Sequence, residues 1–508
     1  MNNILFSLAS KGLEAELVKI EVDNYRSNPG MVIVGLGDAA VQESKERVRA
    51  AMKNCGYSFP RGRVVVNLAP ADLKKSGPCF DLPIALGLIS LGHRIMFPDL
   101  NDSLFFGELA LDGTLRHVNG IISLIDAARK FNYKKVYVPQ INLREARLIE
   151  GIEVYGVHDL REIVELLTGN LEKRKPENIN LADYFEYKSE IEIDFADIKG
   201  QNFAKRALEI AAAGSHNIVL NGAPGSGKTM MARAMAGILP KLGIREAIEV
   251  TKIYSLAGLL PEGEYLIKDR PFRIVHHTAS GISIVGGGRI PKPGEISLAH
   301  RGVLFLDEMA EFPTKVLELL RQPLEDKEIS ISRTYASIKY PAQFILCGAL
   351  NPCPCGYYNV PNSRKECVCV PGSIARYNNK ISGPLLDRID LYCLVSPVEY
   401  KDMKCTGDLE TSSDVAQRVQ KARDMQAQRF YGLEIIVNSE MSAREIKKYC
   451  IISDEVEKIL ESAMTRLNLT ARGYHRVLKV ARTIADLDGR ELIAEGDVLE
   501  AMQFRRSE

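Results

Sequence analysis

The sequence predicts an α/β protein with a parallel sheet in its middle and an all-helical region at its end. Short β-branched runs alternate with segments of helical spacing over most of the chain, and helical spacing alone remains near the end. A polar, charged stretch interrupts the alternation. At 508 residues the chain has the length of about three domains. The predicted domains are residues 1–168, 193–400 and 401–508, with 169–192 as a linker.

Each region contains its own set of predicted elements. In the first, "RVVVNLAP" and "KKVYVPQ" predict strands, and "AAVQESKERVRAAMKNCG" and "IISLIDAARKFN" predict helices. The middle region contains the apolar runs "NIVLNG", "GVLFLDE", "AQFILCGAL" and "LYCLVS", which are typical of a buried parallel sheet. The last region predicts helices at "SDVAQRVQKARDMQAQRF", "SDEVEKILESAMTRLN", "YHRVLKVARTIADLDG" and "AEGDVLEAMQFR".

The composition is that of an ordinary globular protein. Apolar residues make up 46% of the chain, charged residues 26%, and the net charge is +1. Because there is no global positive field, any contact with nucleic acid must come from local basic patches. The sequence shows neither the pattern of a signal peptide nor a run long enough to cross a membrane. We therefore expect a cytoplasmic protein without a membrane partner.

The stretch "NGAPGSGKT" predicts a phosphate-binding loop. Its residues have the spacing G-x-x-x-x-G-K-[ST], follow the strand "NIVL" and open the helix "TMMARAMAGIL". The glycines allow backbone N–H groups to surround phosphates, the lysine reaches the β and γ phosphates, and the threonine can ligate Mg²⁺. We expect ATP and Mg²⁺ as ligands. The predicted nucleotide-binding residues are Gly222, Ala223, Pro224, Gly225, Ser226, Gly227, Lys228 and Thr229.

Three polar residues at the ends of strands complete the predicted catalytic site. Asp307 and Glu308 end the run "GVLFLDE", where Asp307 would organise Mg²⁺ and Glu308 would polarise the attacking water. Alone, this pair would indicate only a solvated acidic turn. Asn351 ends "FILCGAL" and could orient water at the γ phosphate, or it could simply begin a turn before proline.

Arginines near the end of the chain form a second group of candidates. Arg388 precedes the strand "LYCLV", and Arg472 and Arg476 lie on a predicted helix. A single arginine on a helix usually belongs to a solvated face. In an assembly, an arginine from a neighbouring subunit can stabilise charge on the transferred phosphoryl group.

Four of the ten cysteines lie in "NPCPCGYYNVPNSRKECVCV" as two Cys-x-Cys pairs, Cys353 with Cys355 and Cys367 with Cys369. Four thiolates complete a tetrahedral zinc site and leave no open position for catalysis. An iron–sulfur cluster and reduced thiols without metal remain open alternatives.

Other candidate ligands are weaker. Cys347 and Cys393 lie in apolar strands and are expected in the core. His276 and His277 are adjacent and are expected to point apart, so they are interpreted as structural or close to the nucleotide.

The longer motifs identify a family. "RPFRIVHHTASGISIVGGGRIPKPGEISLAHRGVLFLDE", "GALNPCPCGYY", "ISGPLLDRIDL" and "ARGYHRVLKVARTIADL" resemble the magnesium-chelatase-like AAA+ ATPases of the YifB/ComM family. The resemblance implies an AAA+ P-loop core, a C-terminal helical lid and a hexameric ring. It implies a Walker A loop at 222–229, a Walker B pair at Asp307 and Glu308, and a sensor-1 residue at Asn351. It further implies an arginine finger acting in trans at Arg388 and a sensor-2 residue at Arg472.

The resemblance also implies a DNA helicase that drives branch migration during natural transformation. In related motors an insert, here "GGGRIPKPGE", and a hairpin, here "EISISRTYASIKYP", face the channel of the ring. Basic residues there would bind a single-stranded or branched DNA backbone without sequence preference, unless they are only solvated loop charges. The candidate channel residues are Arg289, Lys292, Arg333 and Lys339.

The first region resembles the proteolytic domain of Lon, which has an S5-type α/β fold. "KKSGPCFDLPIALGLIS" resembles the segment around the nucleophilic serine of Lon, and "GELALDGTLRHVNGIISLIDAARK" resembles the segment with its lysine. Here Cys79 stands at or beside the serine position and Ile122 at the lysine position. Because isoleucine cannot accept the nucleophile's proton, we expect no peptidase activity.

Two alternatives to the DNA motor are compatible with parts of the sequence. A protein-remodelling ATPase would bind polypeptide through the Lon-like domain, and Tyr335 near the hairpin tip could supply the aromatic grip of such a pore. A metal-insertion subunit, by analogy with magnesium chelatase, lacks support because no region resembles a porphyrin-binding partner domain.

Overall fold

The computed structural model describes residues 4–98, 100–172, 193–261, 263–288, 291–333, 336–360, 365–398, 409–466 and 470–505. Most of the predicted linker lies outside these residues. None of the helices in the described ranges is both long and apolar enough to span a membrane.

The N-terminal region is built on two small sheets and an antiparallel pair formed by β6 and β7. The first has the order β1-β2-β4-β3 and is antiparallel except for the parallel pair β3 and β4. The second has the order β5-β8-β9 and is parallel. The predicted strands "RVVVNLAP" and "KKVYVPQ" are β4 and β8, and the two predicted helices are α1 and α3. The strands are β1 Leu5–Lys11, β2 Glu14–Tyr25, β3 Gly30–Val34, β4 Arg63–Ala69, β5 Ser103–Phe105, β6 Glu108–Leu109, β7 Leu115–Arg116, β8 Lys135–Pro139 and β9 Glu153–Val157. The helices are α1 Ala39–Asn54, α2 Asp81–His93, α3 Ile121–Lys130, α4 Leu143–Ala146 and α5 Leu160–Thr168.

The middle region contains a five-stranded parallel sheet of order β11-β14-β17-β10-β18. Its strands are β10 Ile218–Gly222, β11 Phe272–Val275, β14 Val303–Leu306, β17 Ile345–Leu350 and β18 Leu391–Val395. The four apolar runs are β10, β14, β17 and β18, which confirms the parallel sheet. The edge strand β11 does not form an apolar run in the sequence, because Arg273 interrupts its apolar residues.

Helices and two hairpins surround this sheet. The hairpins are β12 Gly286–Gly287 with β13 Lys292–Pro293, and β15 Glu328–Arg333 with β16 Ala336–Pro341. The helices are α6 Asn202–Gly214, α7 Lys228–Ala236, α8 Ile244–Ala257, α9 Gly281–Val285, α10 Glu295–Leu298, α11 Thr314–Glu318, α12 Arg321–Asp326, α13 Pro371–Asn378 and α14 Gly383–Leu386.

The described part of the C-terminal region is helical. Its helix α16 is a short addition to the four predicted segments. The helices are α15 Ser412–Arg429, α16 Ala443–Tyr449, α17 Asp454–Arg466, α18 Ala471–Leu487 and α19 Glu495–Gln503. The apolar faces of α15 and α18 share a core with α6 and one face of the parallel sheet, so this region is fixed to the middle region by burial.

The N-terminal region is packed against helix α8. Ala247 and Val250 of α8 belong to the same buried cluster as the N-terminal strands. At the edge of this contact, Lys252 Nζ lies 2.9 Å from Asp126 Oδ2 of α3. The backbone N–H of Gly120 donates to the Ser255 hydroxyl at 2.9 Å. Apolar burial and buried polar pairs therefore hold the two regions together.

The N-terminal region also contacts the second hairpin. Gly12, in the turn between β1 and β2, packs so closely on Ile338 of β16 that an added Cβ would lie 2.3 Å from its Cγ2 atom. On the same strand, the Tyr340 hydroxyl donates to the Pro291 carbonyl beside the first hairpin at 2.8 Å. The two hairpins and the β1–β2 turn thus form one packed unit.

Candidate functional site

The phosphate loop lies between β10 and α7, at the carboxyl edge of the parallel sheet. Gly225 and Gly227 have φ angles of +77° and +88°, which side chains of L-residues rarely adopt. These angles turn the chain sharply into the nine-residue helix α7. The hydroxyl of Ser226 is buried there without a hydrogen-bond partner among the described residues. A helix N-terminus with unpaired donors is suited to an anion, so the loop fits a phosphate group.

Lys228 is folded back onto the loop. Its Nζ atom donates to the carbonyls of Gly222 at 2.8 Å and Ala223 at 2.9 Å, and to Oδ1 of Asn351 at 3.1 Å. Burial lowers the pKa of Lys228 to about 8, although the nearby Asp307 and Glu308 act to raise it. The ammonium group is therefore poorly compensated and is suited to gain a stronger anion as partner.

The strand-end acids lie beside the loop. The Thr229 hydroxyl donates to Asp307 Oδ2 at 3.0 Å, which brings together two oxygen ligands of the kind that Mg²⁺ prefers. Glu308 has a φ angle of +51° and an exposed carboxylate, with His277 Nδ1 3.4 Å from its Oε2 atom. The rings of His276 and His277 have centroids 4.1 Å apart, so the expectation that these neighbours point apart was wrong.

The sulfurs of Cys353, Cys355, Cys367 and Cys369 lie within 4.8 Å of one another. Cys353 Sγ lies 3.3 Å from Cys355 Sγ and 3.7 Å from Cys367 Sγ. A tetrahedral site with Zn–S bonds of about 2.3 Å has sulfur–sulfur edges of about 3.8 Å. The cluster therefore has the ligands and the size to hold a metal ion.

Backbone N–H groups favour the thiolate form of Cys355 in this cluster, whereas burial and the neighbouring cysteine sulfurs raise the pKa values of Cys367 and Cys369. The N–H of Gly356 donates to Cys353 Sγ at 3.2 Å. Burial acts to raise the pKa of Cys355, but hydrogen bonds from the N–H groups of Tyr357 and Val368 help to lower it to about 6. Hydrogen bonds of this kind commonly orient metal ligands.

The cysteine turn packs directly on the phosphate loop. Gly356 has a φ angle of +85°, and a Cβ atom added there would lie 2.3 Å from Cδ of Pro224. Asn351 precedes this turn and contacts Lys228. The cysteine cluster is therefore joined to the candidate site on two sides, a relationship that the linear sequence does not signal.

Arg388 and Arg472 lie together at the opposite, amino edge of the sheet. The carbonyl of Arg388 accepts from Asn217 Nδ2 at 2.9 Å, and Asn217 immediately precedes β10. The strand alone separates this point from the phosphate loop by about 15 Å. Glu325, which the sequence analysis did not single out, pairs with Arg388 and lies 3.2 Å from Arg472 Nη2.

Arg476 faces the same edge but is bound differently. Its Nε atom lies 3.5 Å from Asp390 Oδ1. Burial acts to raise the pKa of Asp390, but His216 and Arg476 hold it well below its usual range. Arg476 is thus a partner of a buried carboxylate, whereas the side chain of Arg472 is 62% exposed.

The candidate channel residues are only partly described. Arg289 lies outside the described residues, as does Tyr335, and Arg333 is described only as the backbone end of β15. Lys292 is exposed on β13. Lys339 is exposed but lies 2.6 Å from Glu328 across the hairpin, so its charge is paired.

The remaining thiols in the described ranges are buried and separate from the cluster. Burial raises the pKa of Cys79 to about 12, which keeps it a thiol, and Ile122 is fully buried in α3. Cys347 and Cys393 are fully buried in their strands, as expected.

Family models match three regions of the chain. Residues 194–403 match "Magnesium chelatase, subunit ChlI", residues 20–142 match "Subunit ChlI of Mg-chelatase", and residues 409–505 match "Magnesium chelatase, subunit ChlI C-terminal". Together the matches span most of the chain.

Relatives of known name cover nearly the full length. The chain is 43% identical to the competence protein ComM of Haemophilus influenzae over 506 residues, 99% of this chain and 97% of that protein. It is 40% identical to YifB of Escherichia coli over 507 residues, with the same coverage of 99% and 97%. A magnesium-chelatase subunit ChlI homolog of Methanocaldococcus jannaschii is 22% identical over 335 residues, 61% of this chain and 83% of that protein. The chain therefore belongs to the magnesium-chelatase-like YifB/ComM family, as an ATPase of the ComM type.

Proposed function

We propose that this protein is an ATP-hydrolysing ring motor acting on DNA, a helicase or translocase that promotes branch migration in DNA uptake and recombination. One observation carries the proposal. Lys228, Asp307 and Asn351 lie at the carboxyl edge of the parallel sheet, whereas Arg388 and Arg472 lie at its amino edge. A chain built in this way has the two parts of an ATPase site on different surfaces. They meet when copies of the chain form a ring.

ATP is the substrate of the proposed site. Lys228 binds the β and γ phosphates, together with N–H groups of the loop at 222–229. Thr229 and Asp307 are the residues that would hold Mg²⁺, which neutralises charge on the phosphate oxygens when bound. Glu308 has an exposed carboxylate beside the loop and polarises the attacking water, which Asn351 helps to orient. The 3.1 Å contact between Lys228 and Asn351 supports this division of roles.

The two arginines act on the nucleotide of a neighbouring subunit. About 15 Å of strand separates the phosphate loop from Asn217, which binds the Arg388 carbonyl, and this separation favours a role for the arginines away from that chain's own phosphates. A guanidinium supplied from a neighbour stabilises the charge that develops on the transferred phosphoryl group. Arg388 is the proposed arginine finger, and Arg472 is the proposed sensor-2 residue, also acting in trans. A hexameric ring provides these contacts at every interface.

DNA is the proposed partner of the two hairpins. Arg289 and Lys292 belong to the first hairpin segment, and Arg333 and Lys339 belong to the second. Basic side chains there bind a single-stranded or branched DNA backbone in a salt-dependent manner. The packing of Tyr340 on the Pro291 carbonyl supports a common movement of both segments. The name of the ComM relative, a competence protein, is consistent with DNA uptake.

The N-terminal and C-terminal regions have supporting roles in this proposal. The N-terminal region is proposed to be a Lon-like domain without peptidase activity, since Cys79 remains a thiol and Ile122 offers no base. The C-terminal helices are proposed to be the lid that carries Arg472. The proposed domain boundaries remain 1–168, 193–400 and 401–508.

Structural zinc is the proposed occupant of the cysteine cluster. Four thiolates with sulfur–sulfur distances of 3.3 and 3.7 Å around Cys353 favour a closed tetrahedral site. Such a site has no open position for chemistry. Its contact with Pro224, through Gly356, favours a role in bracing the phosphate loop.

The decisive experiment compares effectors of ATP hydrolysis. We expect single-stranded or forked DNA to raise the hydrolysis rate of the purified assembly, and Arg333→Ala to abolish this rise while the rate without DNA is retained. If an unfolded protein stimulates hydrolysis and DNA does not, a protein-remodelling ATPase is the correct interpretation.

The nucleotide site has its own test. Lys228→Ala is expected to abolish ATP binding or hydrolysis. Glu308→Gln is expected to bind ATP normally and to hydrolyse it at least 100-fold more slowly, because the residue acts on the attacking water. Full activity in either variant would refute the assignment.

A further inference from the structure

One carboxylate connects the two arginines at the amino edge of the sheet. Glu325 lies on α12, and each of its oxygens contacts a different guanidinium. Its Oε1 atom lies 3.2 Å from Nη2 of Arg472, and its Oε2 atom pairs with Nη2 of Arg388. The arginines come from different regions of the chain, one from just after α14 and one from the first turn of α18. Their meeting point is therefore this single side chain.

The two arginines are held to different degrees. Arg388 is 12% exposed, and its Nη1 atom donates to the Pro384 carbonyl at 2.7 Å, so one side of its guanidinium is fixed. Its Nε atom is buried without a hydrogen-bond partner in the described part of the chain. Arg472 is 62% exposed, and Glu325 is the contact that ties it to Arg388. Glu325 thus joins a cation that is buried and fixed to one that is largely exposed.

The surroundings make this carboxylate important. The same cleft, with a volume of about 480 Å³, is also lined by the cations Lys327, Arg476 and Lys479 and by the carboxylates Glu434 and Glu440. Asp390, another carboxylate in the cleft, is engaged by His216 and Arg476. Within the described part of the chain, Glu325 is the carboxylate that forms ion pairs with both Arg388 and Arg472. Without it the two arginines would be neighbouring like charges, and the exposed Arg472 would move away.

A second carboxylate fixes the other end of the segment that carries Arg388. Glu318 Oε1 accepts from the Ser382 hydroxyl at 2.5 Å, and Ser382 is the N-cap residue of α14. Glu318 and Glu325 therefore hold this segment at its start and at its end. This arrangement indicates that the position of Arg388 is built into the fold before a neighbouring subunit arrives.

We propose that Glu325 is a positioning residue for ATP hydrolysis in trans. It holds Arg388 and Arg472 side by side so that both guanidinium groups reach the same phosphate of the neighbouring subunit's nucleotide. Glu325 itself does not touch the nucleotide. The inference rests on the function proposed above, in which these arginines act across the subunit interface. The ion pair between Glu325 and Arg472 is half exposed and therefore weak, so a phosphate group can bind the same guanidinium groups.

The first test is the isosteric change Glu325→Gln, with Asp326→Asn as a matched control on the same helix. Asp326 is exposed. Asp326→Asn removes one negative charge and keeps the shape of the side chain, as Glu325→Gln does, but it leaves the ion pairs of the arginines in place. We expect Glu325→Gln to lower kcat about tenfold with KM changed less than twofold, and Asp326→Asn to leave both constants unchanged. An unchanged or higher kcat for Glu325→Gln would overturn the proposal. A higher kcat would mean that the carboxylate restrains the arginines and does not position them for hydrolysis.

A double-mutant comparison separates positioning from general stability. Arg472→Ala removes the exposed arginine that Glu325 positions, while Arg388 keeps its hydrogen bond to the Pro384 carbonyl. Adding Glu325→Gln to Arg472→Ala should therefore lower kcat less than twofold further. A full additional tenfold loss would mean that Glu325 acts independently of Arg472 and would contradict the proposal.

Mixed assemblies test the action across the interface. Subunits with Glu325→Gln and subunits with Lys228→Ala are coexpressed with different tags and purified through both. At interfaces where the Lys228→Ala subunit supplies its intact arginines to the intact nucleotide site of its neighbour, hydrolysis should recover. We expect about twofold more activity per subunit than the sum of the two parents.

A reference assembly tests the trans arrangement without involving Glu325. It mixes subunits that have Arg388→Ala with subunits that have Lys228→Ala. If it fails to recover activity, the arrangement of the arginines in trans is wrong. If it recovers and the Glu325→Gln mixture does not, the arginines act in trans but Glu325 does not position them, and only the present inference is overturned.

Discussion

Lys228 and Asn351 are in direct contact, with Nζ of the lysine 3.1 Å from Oδ1 of the asparagine. Lys228 begins α7 after the loop that follows β10, and Asn351 directly follows β17. The strands β10 and β17 pair in parallel register. The contact couples the phosphate loop to the end of β17. A change at either residue is therefore expected to affect the other.

Asn351→Ala is expected to lower kcat for ATP hydrolysis between tenfold and 100-fold with a small effect on ATP affinity, because the amide acts on the water and not on the phosphates. Single-turnover hydrolysis and binding of a non-hydrolysable analogue measure the two quantities separately. Asn379→Ala, an exposed residue at the end of α13, is the control and should behave as the parent. A loss of affinity without a loss of kcat would assign Asn351 to binding.

The lowered pKa of Lys228 predicts pH-dependent nucleotide binding. With a pKa of about 8 the free protein loses the ammonium proton above pH 8, whereas the phosphate-bound form keeps it. The dissociation constant of a non-hydrolysable ATP analogue should therefore rise about tenfold per pH unit above 8. Calorimetry in buffers of different ionisation heat should detect proton uptake in the same range.

Lys228→Arg provides the matched control for this titration. A guanidinium stays charged throughout, so its weaker binding should show no such pH dependence. The same slope in both variants would mean that another group titrates.

Loss of one cysteine ligand should release the proposed zinc. Cys353→Ser is expected to lower bound zinc from about one ion per chain to near zero, and to weaken ATP binding about threefold to tenfold. The second effect is expected because the turn at Gly356 no longer braces Pro224. Elemental analysis and nucleotide titration measure the two effects.

Cys55→Ala is the control for this experiment, since Cys55 is a buried thiol of the N-terminal region outside the cluster. Its metal content should equal that of the parent protein. If Cys353→Ser loses zinc while ATP binding and thermal stability stay unchanged, the bracing role is refuted. If the parent protein contains no zinc, the metal proposal itself is wrong.

Two lysines contact the same carboxylate and should differ in importance. Lys252 approaches Asp126 from α8 at 2.9 Å and is 19% exposed, whereas Lys130 approaches from within α3 at 3.3 Å and is 70% exposed. We expect Lys252→Ala to lower the free energy of local opening at the contact between α3 and α8 by about 1–2 kcal/mol. Lys130→Ala should lower it by less than about 0.5 kcal/mol. Hydrogen exchange of α3 and α8 amides measures both. Equal effects of the two substitutions would show that the ion pair from α8 is no stronger than the exposed ion pair within α3.

Much of the nucleotide site could be predicted because its signals are local. The run ending in Asp307 and Glu308 and the loop at 222–229 each combine a strand with its functional residues in one short stretch. The parallel order of the strands then places the ends of β10, β14 and β17 at one edge. Neighbouring residues in the sequence were sufficient for these inferences.

Other relationships depend on contacts between distant residues, which have no sequence pattern. The pairing of Glu325 with Arg388 joins segments whose side chains look like ordinary surface charges. The contact of Gly356 with Pro224 and the packing of Gly12 on Ile338 depend on tertiary geometry alone. The pair of histidines illustrates the same limit, since the direction of a side chain outside regular structure does not follow from its neighbours.

Strand β10 has a further consequence in the proposed ring. Its end at Gly222 carries the chain's own phosphate loop, and its start after Asn217 anchors the arginine that serves the next subunit. A displacement of this one strand is thus transmitted to two reaction centres at once. Inactivation of one subunit would then impair two nucleotide sites of the ring. Sequential ATP hydrolysis around the ring could be coupled through this five-residue strand alone.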